Sequence, residues 1–437
     1  MGAVTTDELK YRVRSRMRRR FFFLLLLFVA TNRLCHSFMV HPTVRRYRPS
    51  LVKGFRLQRA RNQMHLNQED ATSVASVLSD LDWLRYAPML PVSLGVAFLA
   101  NTAGIGGAAL FSPIFLLVFP ALDEWRIAKG LTEAGMDTRF YALESPAASV
   151  GTALAVEFVG FTSGLIGYTR RGLVDFASAA PLIAITTPCA LVGATIVNLV
   201  PLLWLKGLYS GFMLITGVRL IVFVENGRSR SEESWTKLPV SRTRRIIEDS
   251  KGQKYEYSVP PLTAGEVATV GVGGWLCGLL GVGVGEAVLP YLLNSGGKNN
   301  KESGMPLPIA AGTSVLVVTT SVAAAATRQW GQLLADAQEQ LQFTVSLGEE
   351  LKGGSVALAL ACTVPWNLVV WQWPGVIAGA QLAAAFNQNS ALGTAVGEET
   401  ANPAGDSREV KGGTAQRAVG CVFCAVGLAF AVLSASP

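Results

Sequence analysis

The chain is poor in charge, and histidine is missing from most of it. Only 16% of its 437 residues are Asp, Glu, Lys or Arg, where a soluble protein of this size carries roughly 25%. Half of the residues are hydrophobic. Long apolar windows recur from residue 88 to the C-terminus, which excludes a soluble globular enzyme and reads as a polytopic membrane protein. The three histidines, His36, His41 and His65, all lie before the first of these windows. The apolar part therefore has no His to hold haem or zinc, and the sequence calls for no cofactor and no metal. A Gly-x₄-Gly-Lys-Ser/Thr loop is also missing, which argues against ATP-driven pumping by this chain alone.

Acids are scarce at the N-terminus. Of 38 Lys and Arg and 30 Asp and Glu, 15 and two respectively fall before residue 67, leaving 23 against 28 in the rest. The formal net charge of +8 thus belongs to a leader and does not point to nucleic acid. Residues 10–20 form a basic n-region and 21–30 an apolar run of ten, too short to span a bilayer but usual for a signal peptide. Residues 34–68 lack acids and accumulate Arg, as transit peptides do. The junction Cys35-His36-Ser37-Phe38 fits a bipartite plastid leader. We expect a signal-like segment at 1–37 and a transit-like segment at 38–70, with the plastid envelope as destination. An ordinary signal anchor in a plasma or endomembrane is the alternative.

What is abundant is glycine placed to break helices. Residues 104–113 read GIGGAALFSP and 281–290 read GVGVGEAVLP. Each has Gly-x-Gly and a Pro nine positions after the first Gly, inside a long apolar run. A broken helix repeated in two halves points to a secondary transporter's binding site. Two further landmarks follow in the same order: Gly151-Thr152 against Gly312-Thr313-Ser314, and Pro188 with Gly193-Ala194 against Pro374 with Gly379-Ala380. The expected fold is all-α, with about eight transmembrane helices in two four-helix repeats whose first helices are broken, their Gly-rich centres unwound or re-entrant. Four full spans per half would make the repeats parallel, and a re-entrant element would make them inverted. The first repeat covers 88–224 and the second 262–435. The polar stretch 225–261 reads as a solvated linker, and 391–415 as a flexible loop. With eight spans, the N-terminal end, the Arg170-Arg171 turn, the linker and the acidic stretch after Trp330 would share one face, cytosolic or stromal by its Lys and Arg.

Interrupted helices expose backbone N–H groups at the positive end of a dipole, which favours an anion. Candidate substrate-binding residues are Gly104, Gly106, Gly107 and Pro113 in the first half, with Gly281, Gly283, Gly285 and Pro290 in the second. Thr152, Thr313 and Ser314 would add hydroxyl donors at similar depth, unless they bond to their own helix backbone. Three ionisable residues lie in apolar runs, where a charge costs at least ~2.5 kcal/mol. Glu157 and Glu286 are candidates for coupling by a proton. Arg219 would meet an anion, pair with an acid or snorkel. Membrane lipid and a small anion are the partners implied. Proton or sodium coupling and the oligomeric state stay open.

These motifs resemble the TauE/SafE family of sulfite and organosulfur-anion exporters, from about residue 88 to 434. Two stretches carry the likeness most clearly: GLLGVGVGEAVLPYLL with AAGTSVLVVTTSVAAA, and VEFVGFTSGLIGYTRRGLVDF with the region that follows it. The family's Gly-x-Gly-Gly-Gly becomes Gly-Ile-Gly-Gly-Ala at 104–108 and Gly-Val-Gly-Val-Gly at 281–285, so side chains at Ala108 and Val284 narrow the closest approach to the backbone. The resemblance implies export or exchange of a small anion such as sulfite or a sulfonate, and no enzymatic activity. The rival reading is a membrane thiol oxidoreductase using Cys421-x-x-Cys424. A Cys421→Ser, Cys424→Ser double variant separates the two: transport retained at the wild-type rate removes the redox reading, and transport lost favours it.

Overall fold

Glycines in the left-handed region end the first helix of each half. The computed structural model describes residues 83–104, 107–119, 146–229, 243–259, 262–293, 305–346 and 366–400, with Cys421, Cys424, Ala425, Gly427 and Leu428. The leader segments lie outside these residues, as do Ile105 and Gly106; the described residues belong to one compact unit, 48–437. Helix α1 (Met89–Ala103) stops at Gly104, whose φ of 65° is left-handed and whose N–H bonds back to Asn101 O. Helix α2 (Ala108–Pro113) continues as a π turn over Ile114–Val118. It comes back to where α1 began, since the Phe119 ring lies 5.7 Å from that of Tyr86.

The second half repeats the device. Further along the chain, after helices α3 to α5 and a two-stranded sheet described below, α6 (Ala264–Leu280) opens with a capping box of Thr263 and Glu266 and ends at Gly281, φ 78°. Helix α7 (Val284–Leu293) then returns along it. A Cβ built on Gly273 would lie 2.6 Å from Gly283 O and 2.8 Å from Ala287 Cβ. Both first segments are therefore hairpins that turn back, rather than long interrupted spans. Only glycine takes these backbone angles without strain.

The remaining helices are α3 (Pro146–Arg170), α4 (Phe176–Ile196), α5 (Leu202–Ser229), α8 (Leu307–Ser346) and α9 (Trp366–Thr400). Among the described residues, four stretches are long and apolar enough to cross a membrane: Ser149–Arg170, Phe176–Ile196, Leu307–Gln332 and Trp366–Asn389. Helix directions follow from the contacts. Gly312 packs on Leu173 and Tyr168, while Trp330 Nε1 donates to Gly151 O at 3.0 Å, so α8 runs antiparallel to α3. Gly160 faces Val376 and Gly164 faces Ala380, so α9 runs parallel to α3.

The same helix partners recur when the halves are exchanged. Helix α1 packs on α9 as α6 packs on α4, α3 on α9 as α8 on α4, and α3 on α8. Two hydrogen bonds repeat as well. Tyr168 Oη donates to Asn101 O at 2.8 Å and Gln329 Nε2 to Gly278 O at 2.8 Å. Each accepting carbonyl lies three residues before the capping glycine. The Pro-x₄-Gly-Ala landmark is less regular. Gly193 packs on Trp275 and Leu279, just before Gly281, but Gly379 packs on Leu94 and Phe98, one turn further from Gly104.

Four expectations need correction. Tyr86 clusters with Ala153 and Trp330 bonds to Gly151 O, so both lie at the α3 end opposite Arg171, not on its face as expected. Thr152 and Thr313 sit at opposite ends of α3 rather than at one depth, because α8 runs antiparallel to α3. Helix α9 extends to Thr400, into the stretch expected to be a loop. The linker is structured in part. Helix α5 reaches Ser229, and strands β1 (Thr243–Glu248) and β2 (Lys254–Val259) pair antiparallel.

This β-hairpin docks on the turn between α3 and α4. Ser250 N donates to Arg171 O at 2.9 Å, and Gly172, φ 76°, lies against Asp249. Asp175 gathers the contacts: it caps α4 at Ala177 N and Ser178 N, accepts from Tyr257 Oη at 2.8 Å, and pairs with Arg245 at 3.5 Å. Burial, then the Asp175 charge, pushes the Tyr257 phenol well above its ordinary range, so it remains a donor. Gln388 and Lys251 tie the same hairpin to α9.

The tightest helix contact yields a stability test. A Cβ on Gly278 would overlap Ala190 O and lie 2.6 Å from Ala194 N, whereas one on Gly95 meets nothing within 4 Å. We expect Gly278→Ala to lower stability by about 1–3 kcal/mol and Gly95→Ala to leave it unchanged, read from thermal unfolding in detergent.

Candidate functional site

The two breaks meet the other half of the protein. At the first, Ser314 Oγ of α8 donates to Gly104 O at 2.7 Å, and Ala311 lies 3.0 Å from where a Gly104 Cβ would be. At the second, Ser112 Oγ of α2 donates to Leu280 O at 3.5 Å. The hydroxyls satisfy carbonyls that an interrupted helix would otherwise leave open in an apolar surround.

Two buried carboxylates flank the breaks. Glu157, 2% exposed, projects from α3 toward the first: a Cβ on Gly107 would lie 3.8 Å from Glu157 Oε1. Glu286, 8% exposed, is the third residue of α7, and its Oε2 accepts from Gly283 N at 3.0 Å. That is one arm of a capping box, set inside the protein with Gly283 at φ 122°. Both carboxylates act electrostatically on the same two groups, the Tyr209 phenol of α5 and the Cys277 thiol of α6. Tyr209 and Cys277 are each 2% exposed. The site thus combines acids from both halves, a phenol, a thiol and the N-terminal end of α7. No group of His, Cys, Asp and Glu that could hold a metal ion occurs among the described residues.

A family model described as sulfite exporter TauE/SafE matches residues 89–397, most of the chain. The chain belongs to this family. Comparison with curated proteins and with solved structures returned no match. Membership in TauE/SafE makes the protein a membrane transporter of the sulfur-anion class, and the match covers both hairpins, the linker and α9.

Within this TauE/SafE chain the expected site residues separate. Gly104, Gly107, Gly281, Gly283, Gly285 and Ser314 lie at the breaks. Pro113 closes α2, and Pro290 sits inside α7. Thr313 lies elsewhere: its Oγ1 accepts from Asp175 N at 3.0 Å, at the α3–α4 turn. Thr152 is buried in α3. Gly106 and the side chain of Arg219 are outside the described residues. Cys421 is exposed, Cys424 is half-buried, and both thiols are free. Sequence reading missed Tyr209 and Cys277, which carry no motif. Their only signal was polarity in an apolar run, shared with many residues that simply pack.

Proposed function

We propose that this protein is a secondary transporter that moves a small sulfur-containing oxyanion, sulfite or a sulfonate, between its two helical hairpins. In this reading the chain is two inverted four-segment repeats, each a re-entrant hairpin followed by three crossings. The substrate sits near Gly107 and Gly283, and a proton carried by Glu286, with Glu157 beside it, accompanies the anion. The observation that carries the proposal is a buried carboxylate at each hairpin break, Glu157 beside Gly107 and Glu286 on Gly283 N.

The chemistry is consistent. An oxyanion entering an apolar interior loses its hydration shell and needs fixed donors in return. Helix α7 offers N-terminal N–H groups, but Glu286 already accepts from the N–H of Gly283. Protonating Glu286 weakens that contact and frees the donor for substrate. Anion and proton then load together, which is symport in charge terms.

Flux of sulfite and methanesulfonate in proteoliposomes, with and without a pH gradient, tests this reading. Wild type should show flux driven by inward acid. Glu286→Gln should keep binding but lose at least about tenfold of the pH-driven component. Gly107→Ala makes a clean steric probe, because its Cβ would meet only ordinary contacts of 3.5 Å or more; we expect a folded protein with reduced flux for the larger anion. Equal pH dependence in wild type and Glu286→Gln would remove Glu286 from coupling. No flux of either anion in wild type would overturn the substrate class.

A further inference from the structure

One buried side chain in the core has polar atoms that the packing does not use. Gln372 of α9 is 0% exposed, and neither Nε2 nor Oε1 has a hydrogen-bond partner. Leaving a buried amide unmade costs a few kcal/mol. Native cores rarely tolerate this without a reason.

The surroundings of Gln372 are apolar. It lies one turn from Leu368 and one turn from Val376 on a single helix face. Both of these belong to a cluster with Phe111 and Phe115 of the first hairpin and Ala153 and Val156 of α3. Because α9 runs parallel to α3 and Val376 faces Gly160, Gln372 is level with Val156 and Glu157, beside the limb that descends from the Gly107 break.

The other half serves as an internal control. The Gly151 and Gly312 landmarks make Gly160 of α3 the counterpart of Ser321 of α8. Ser321 Oγ donates to Thr186 Oγ1 at 2.8 Å, while Gly160 faces Val376. By packing, which is one turn out of register with the Pro-x₄-Gly-Ala landmark, Val376 is therefore the counterpart of Thr186, and Gln372, one turn earlier, is the counterpart of Leu182. Leu182 is also 0% exposed. Packing at this position is thus met by a leucine of similar length, and the amide in the second half answers to something other than packing.

We propose that Gln372 is a specificity-determining residue of the transport site, reading a monoanionic oxyanion that also bears a hydrogen-bond donor. An amide presents two N–H donors and one carbonyl acceptor. The N–H groups suit sulfonyl oxygens, and the carbonyl suits a hydroxyl on the same ligand. Bisulfite in its hydroxyl form and hydroxymethanesulfonate meet both requirements, whereas methanesulfonate meets only the first. The inference rests on the transporter reading for the site's location, but its test is a binding measurement.

The experiment is ligand-induced thermal stabilisation of the purified full chain, titrated with hydroxymethanesulfonate and with methanesulfonate. Wild type should be stabilised by the hydroxylated probe at lower concentration. Gln372→Leu should need at least about tenfold more of that probe and should lose the preference between the two. Without ligand, Gln372→Leu should melt at the wild-type temperature or above it, since an unpartnered amide has been removed; a purely structural glutamine would lower it. Gln372→Met serves as a second variant if the leucine protein does not fold. Superimposable titrations of variant and wild type, or no stabilisation of wild type by either probe, would overturn the proposal. Binding that depends on Gln372 without flux in proteoliposomes would sink the transporter reading and leave Gln372 as a ligand-reading residue.

Discussion

Everything in this fold depends on two chain reversals, at Gly104 and Gly281. A helix that enters a membrane and stops halfway leaves its last carbonyls without partners, and no water is there to take them. Here each set is answered from a neighbouring helix. Tyr168 donates to Asn101 O and Gln329 to Gly278 O, and Ser314 and Ser112 reach Gly104 O and Leu280 O. The left-handed glycines make the turn possible, and the second helix of each half makes it tolerable. Because the hairpin adds no crossing, the following helices run in opposite directions in the two halves, so α3 and α8 pack antiparallel at the centre.

Much of this was legible in the sequence, and the part that was not has a physical cause. The Gly-x-Gly motifs announced the breaks because few residues other than glycine adopt positive φ. They could not say whether the chain continues or returns, since that depends on contacts such as Tyr86 with Phe119 across more than thirty residues. From that one ambiguity came the wrong face for Tyr86 and Trp330 and the wrong depth for Thr313. Glu157 and Glu286 stood out as charges in apolar runs. Tyr209 and Cys277 did not, because a phenol or a thiol is at home among apolar residues.

The linker shows the opposite failure. Its polarity suggested a solvated tether, yet its β-hairpin places Arg245 and Tyr257 on the buried Asp175 carboxylate. A two-stranded hairpin is marginal on its own, so its order derives from docking. Charges read as a sign of solvation were in part interface. Asp175 explains why: one carboxylate caps α4 through Ala177 N and Ser178 N and holds the hairpin, while its own N–H donates to Thr313. The turn between α3 and α4 is thereby fixed to the linker on one side and to α8 on the other.

The site itself breaks the symmetry that the scaffold keeps. By the landmarks that relate the halves, Glu157 falls opposite Val318 and Glu286 opposite Ala109, so neither acid has an acidic counterpart. Yet both bear on Tyr209 and Cys277. In a low-dielectric interior two carboxylates repel strongly, and each also repels an incoming anion. Three negative charges at one buried place would need several cations or a proton to be held there. A proton on Glu286, whose Oε2 already accepts from Gly283 N, would remove one of the three. On the proposed function, proton coupling is then part of how the site holds its substrate, because it relieves the repulsion among like charges.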